Sequence, residues 1–190
     1  MKPIIFIVII VAVVAAGFWF INKGEEAKAP TIITNFTECI EAGNLVMESY
    51  PRQCRTEDGQ TFVENIGNEL EKTDLIRLNS PRPNDVIKSP LTITGEARGY
   101  WFFEASFPVI LTNWDGLIIA QGIATAKNEW MTEDFVPFEA TLEFSTEEGS
   151  IPGIENIFYK NNGALILKKD NPSGLPEHDD ALEIPVFFGL

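Results

Sequence analysis

The chain of 190 residues holds one histidine and two cysteines. That is too few for a three-histidine or four-cysteine zinc centre built from this chain alone. Fourteen Lys and Arg stand against 28 Asp and Glu, so the formal charge is −14 and the pI is near 4.4. Phosphate binding needs clustered cations, and their scarcity excludes nucleic acid as a partner. No G-x-S-x-G elbow, P-loop or G-x-G-x-x-G occurs. A Ser–His–Asp triad would have to use His178, and nothing in the sequence places a serine beside it. The length suits one domain with small extras and is short for a large enzyme with a separate cofactor domain. These absences turn the expectation toward a binding or structural role, with no enzymatic activity, no cofactor and no metal.

The apolar residues are unevenly spread. Pro3 to Ile21 is nineteen residues without a charge. As a helix it would be about 28 Å long, close to the thickness of a hydrocarbon core. Lys2 and Lys23 flank it, and Phe18, Trp19 and Phe20 sit where aromatic rings favour the membrane interface. A cleaved signal peptide would cut after Ala16, with Val14 as the other small residue. The apolar run continues past that point to Ile21, which favours an uncleaved anchor over residues 1–23. Residues 24–30 (GEEAKAP) form a polar linker. The expected location is the cell membrane, as a single-pass protein with the C-terminal domain extracytoplasmic. The membrane is then one partner.

Residues 31–73 form a small unit with both cysteines, Cys39 and Cys54. In an exported chain this pair reads as one disulfide. Closing such a loop stabilises by about 3 kcal/mol in the chain-entropy picture, which matters for a piece too small to bury much core. Asn35 to Glu38 offers capping residues before a short helix, and Gly43 reads as its stop. Asp58-Gly59 reads as a tight turn before a strand at Thr61, Phe62 and Val63. The stretch CRTEDGQTF is weakly similar, within residues 39–64, to the Cys-x-x-Asp-Gly-x-Thr-Tyr turn of Kazal-type protease inhibitors. Here the spacing from Cys54 to Asp58 is one residue longer, and two cysteines allow one bridge where Kazal modules carry three. The resemblance implies an alternative role as a protease-inhibitor-like module.

Residues 74–190 carry short apolar runs separated by turn residues. Strands are expected at Leu75–Leu78, Leu91–Ala97, Tyr100–Phe103, Val109–Asn113, Leu117–Ala124, Phe138–Phe144, Ala164–Lys168 and Leu182–Phe188. Leu91, Ile93 and Gly95 should face one way, and Thr92, Thr94 and Glu96 the other. Asp115-Gly116 gives the clearest hairpin signal. Many short strands without a long helical period predict a mainly β protein, an antiparallel β-sandwich.

Several pieces of this region together resemble the immunoglobulin-like domain of bacterial spore germination proteins. They are Ser80-Pro81, Ser89-Pro90, Gly95-Glu96-Ala97, Trp101-Phe102-Phe103-Glu104-Ala105, Asp115-Gly116, Glu129-Trp130 and Pro137-Phe138. The resemblance runs over about residues 76–188. It implies an immunoglobulin-like sandwich outside the cytoplasmic membrane, acting as a non-catalytic binding or scaffolding module.

The densest aromatic patch is Tyr100-Trp101-Phe102-Phe103. As a strand it would put Trp101 and Phe103 on one face and Tyr100 and Phe102 on the other. Trp130, Phe135 and Phe138 could cover one of those faces. The patch reads either as core or as an exposed platform for a protein or cell-wall glycan partner. The candidate binding surface is Tyr100, Trp101, Glu104 and Trp130. Glu104 reads as a half-buried carboxylate bonded to a backbone N–H or to Arg98, with a lowered pKa. In a glycan-active alternative it would be a general acid needing a second carboxylate across a cleft. His178, with Glu177, Asp179 and Asp180, lacks the spacing of a calcium loop and reads as a solvated turn.

Overall fold

The computed structural model describes residues 32–146 and 158–189. The expected anchor and linker lie outside the described residues. No helix among the described residues is long and apolar enough to cross a membrane. Among the described residues, two short α-helices, α1 (Phe36–Glu41) and α2 (Glu69–Lys72), accompany eleven strands. These are β1 (Leu45–Met47), β2 (Gln53–Arg55), β3 (Thr61–Val63), β4 (Ile76–Ser80), β5 (Val86–Ile87), β6 (Leu91–Arg98), β7 (Ser106–Asn113), β8 (Ile118–Ala126), β9 (Phe135–Leu142), β10 (Asn162–Lys168) and β11 (Ala181–Phe188). The chain divides into two compact units. In the smaller, the described residues are 32–47 and 54–62; the larger holds 48–53 and 63 onward.

The small unit follows its local sequence closely. Asn35 caps α1, its side chain accepting from the Glu38 amide at 2.9 Å. The Glu38 carboxylate reaches back to accept from the Thr34 amide and hydroxyl at 2.7 and 2.8 Å, tying the residue before the cap to the first turn. Gly43 stops the helix at φ +81°, a left-handed conformation that costs glycine little. Gly59, at φ +90°, makes the expected turn, and β1, β2 and β3 form a three-stranded sheet in that order. Cys39 and Cys54 are joined by a disulfide, with their Cα atoms 6.0 Å apart.

The large unit is mainly β. Its eight strands run β4-β6-β9-β8-β7-β10-β11-β5 in one curled sheet. One wing, β4-β6-β9, meets the other through a short β8–β9 pairing at Thr125↔Glu139 and Ala126↔Phe138. Both wings contribute to a single apolar cluster. Phe107 of β7 meets Phe138 of β9 edge-on at 4.9 Å, and Phe102 lies 5.2 Å from Phe107. Burying side chains of this size contributes roughly 1.5–3 kcal/mol each. The alternation expected for β6 is present: Leu91, Ile93 and Gly95 are buried while Thr92, Thr94 and Glu96 are not. Gly95 is needed there, because a Cβ would lie 2.2 Å from the Arg77 carbonyl oxygen.

Three expectations are corrected. The sheet is not purely antiparallel, since β11 pairs with β5 in parallel at Phe187↔Val86 and Phe188↔Ile87. The two layers are wings of one sheet rather than separate sheets, because β8 is long enough to pair on both sides. Tyr100–Phe103 is not a strand: Gly99–Trp101 is a 3-10 turn. Residues 48–53 and 63–73 group with the large unit.

Their attachment has a clear physical basis. The Glu64 carboxylate accepts from Arg52 Nε and Nη2 at 2.9 and 2.6 Å and from the Asn84 amide at 3.1 Å. Glu69 pairs with Arg82 at 2.6 Å and accepts from the Tyr50 hydroxyl. Asn68 bonds β11 through its side chain, donating to the Ala181 carbonyl and accepting from the Glu183 amide. Gly67 lies so close to β11 that a Cβ would sit 1.9 Å from the Glu183 carbonyl oxygen.

Candidate binding surface

The aromatic patch is shaped by the turn that replaces the expected strand. A 3-10 turn repeats every three residues, whereas a strand repeats every two. Tyr100 and Phe103 therefore share the solvent side, 50% and 41% exposed, and Trp101 and Phe102 both enter the core. Gly99 makes this possible: a Cβ there would stand 1.9 Å from the Thr132 carbonyl oxygen and 2.3 Å from that of Trp130. The segment carrying Trp130 thus lies directly against the turn. Trp130 is half-buried and packs on the core cluster.

Phe103 and Ser106 pair across a two-residue turn, exchanging both backbone hydrogen bonds at 2.9 and 3.0 Å. The central residues, Glu104 and Ala105, have φ of +48° and +61°. Such tight hairpin turns favour Asn-Gly, because side chains with a Cβ are strained in the left-handed region. Glu104 is exposed at the tip. The half-buried position and the Arg98 partner expected for it are both corrected. Arg98 Nε donates to the Asp74 carbonyl at 2.9 Å, Nη1 donates to the Glu133 carbonyl at 3.2 Å, and the guanidinium lies 4.0 Å over the Phe135 ring.

The four residues named from sequence therefore divide. Trp101 belongs to the core, with its indole N–H buried and without a partner among the described residues. Trp130 supports that core, and Tyr100 and Glu104 face solvent. Tyr100 and Phe103 border a groove of about 360 Å³ together with Lys169, Asp170 and His178. The Asp170 amide donates to the Trp101 carbonyl at 3.1 Å, which ties the two loops together. His178 ends a 3-10 turn, Pro176–His178, and is exposed. Asn171 braces this loop by donating to the Leu175 carbonyl and the Asp179 carboxylate, both at 2.8 Å.

The buried carboxylates were missed by sequence reasoning. Glu64 and Glu69 are 8% and 4% exposed. Their environments push them in opposite directions. Hydrogen bonds from Arg52 hold Glu64 below the usual carboxylate range despite its burial. Burial pushes Glu69 up, only partly offset by the charge and hydrogen bond of Arg82. Both serve as attachments of the 48–53 and 63–73 segments, with each charge facing an arginine.

No curated protein and no solved structure matches the chain. Residues 75–154, which carry β4 to β9 and the aromatic turn, match the family described as the immunoglobulin-like domain of bacterial spore germination.

Proposed function

We propose that the chain is a membrane-anchored extracytoplasmic protein whose sandwich is a non-catalytic binding or scaffolding module of the immunoglobulin-like spore germination type. The family match over residues 75–154 carries this reading. The Cys39–Cys54 bridge supports an oxidising compartment outside the cytoplasm. The uncharged run from Pro3 to Ile21 supports the anchor. A protein or cell-wall glycan partner would engage exposed loops, grooves or an edge strand, as sandwich modules commonly do.

The test is crosslinking on intact cells that express the full chain, followed by fractionation. The expected result is a surface-accessible protein that needs detergent for extraction, has no free thiol before reduction, and crosslinks to an envelope component. Release by high salt would refute the anchor. Free thiols in the native protein and inaccessibility to external reagents would refute the location.

A further inference from the structure

A second groove, of about 380 Å³, lies on the outer face of the large unit. Its floor crosses three strands in one register row, Thr112 of β7 beside Ala164 of β10 beside Pro185 of β11. With strands about 4.8 Å apart, the floor is roughly 10 Å across. These side chains are short, so the floor lies low between its walls. One wall is the β7–β8 hairpin tip. There, buried Asn113 accepts from the Asp115 and Leu117 amides at 3.1 and 2.9 Å and fixes the turn. That turn leaves Trp114 at the rim, 37% exposed, with Tyr159 packed 6.0 Å from its ring. The opposite wall is the Asn65–Gly67 segment, held against β11 by the close approach at Gly67.

The chemistry of this lining is selective. The lining itself holds no cation and no large aliphatic side chain, and the Lys160 ammonium lies 5.2 Å from the centre of the Trp114 ring at the rim. An anionic ligand would meet the Glu183 carboxylate as well as Lys160, and a lipid or an apolar peptide would find only the small apolar surfaces of Ala164 and Pro185. What it does offer is hydroxyl recognition: an aromatic ring at the rim, the amides of Asn65 and Asn162, and the Glu183 carboxylate. The side chains of Asn162 and Glu183 have no partner among the described residues. A planar ring beside several hydrogen-bonding groups suits the apolar faces and equatorial hydroxyls of a sugar, since each polar group finds a partner on binding. The groove is open rather than enclosed, which suits a segment of a longer chain.

We infer that the Thr112–Ala164–Pro185 groove, rimmed by Trp114, Asn162 and Glu183, binds an uncharged saccharide chain. This goes beyond the binding role proposed above and places it away from the Tyr100 turn. The test is calorimetric and NMR titration of the full chain with chitotetraose and cellotetraose. Trp114→Ala, Asn162→Ala and Tyr100→Ala variants of matched melting temperature are compared. Saturable binding of at least one saccharide is expected. It should weaken at least about tenfold in Trp114→Ala and measurably in Asn162→Ala, with no change in Tyr100→Ala. Should Trp114→Ala fold poorly, Asn162→Ala alone decides. Three outcomes overturn the inference: no saturable binding of either saccharide, binding that depends on Tyr100 instead, or equal binding by the wild type and the groove variants. A tri-lysine peptide that binds the groove where both saccharides fail would reassign it to a basic peptide. A failure here leaves the surface-crosslinking result standing, so the two readings fall separately.

Discussion

Among the described residues of the small unit, only Cys39 and Cys54 are fully buried, while Ile32 and Leu45 are 82% and 72% exposed. The large unit instead closes two sheet wings over Trp101, Phe107, Phe138 and the aliphatic rows of β10 and β11. One is held by a covalent link and local turn chemistry, the other by burial. A chain segment of about forty residues cannot remove enough apolar surface from water to offset its ordering entropy. A disulfide acts on the unfolded state and stabilises without needing a core. The cysteines accordingly stand in the part of the chain that lacks a core, and the cored part has none.

The contrast can be broken first from the core side. Phe107 is fully buried and touches Phe102 and Phe138. Phe107→Ala should destabilise the large unit by about 3–5 kcal/mol, read as a lower urea midpoint by near-UV circular dichroism. A change below about 1 kcal/mol would mean that the wings do not depend on one shared core.

The attachment of residues 48–53 and 63–73 gives the next largest effect. Glu64→Gln removes the charge that Arg52 faces and should cost about 1–3 kcal/mol near neutral pH. The pH dependence has a definite sign. The folded pKa of Glu64 is depressed, so its contribution is present above the unfolded carboxylate value, about 4.3, and is lost as pH falls through the folded value. The gap between the wild type and Glu64→Gln should therefore narrow in acid. Glu69 has the opposite sign. Its folded pKa is raised by burial, so its charge costs stability at neutral pH and that cost lifts as pH falls through the folded value. Glu69→Gln should cost less than Glu64→Gln at neutral pH, measured by the same denaturation series. The reverse order would contradict the assignment of the two carboxylates.

The smallest effect concerns the turn at residues 104 and 105. Replacing Glu104-Ala105 by Asn-Gly relieves two side chains at positive φ and should raise stability by about 1 kcal/mol. A fall in melting temperature would show that the turn is not of the left-handed kind.

Much of this architecture was legible in the sequence wherever one physical rule acted locally. The Leu91–Ile93–Gly95 alternation marked β6, Asp115-Gly116 marked the β7–β8 hairpin, and Asn35 and Gly43 bracketed α1. The turn at Gly99 was not legible, because four consecutive aromatic residues fit a strand or a turn equally well. What decides it is the close approach of Gly99 to the Trp130 and Thr132 carbonyls, a contact about thirty residues distant in sequence. β5, with two residues, is too short to show any period. Of the residues named for the candidate surface, Tyr100 and Glu104 face solvent, whereas Trp101 is core. The Arg52–Glu64 pair and the groove floor unite residues from separate elements, and no spacing in the sequence announces them.

Two kinds of stabilisation divide the chain, a disulfide in one unit and a packed core in the other. Hydrogen exchange of the full chain, with and without reductant, tests this division most directly. Reduction should abolish protection in residues 36–47 and 54–62 and leave β4 to β11 protected. Loss of protection across both units, or retention in the small unit after reduction, would contradict it.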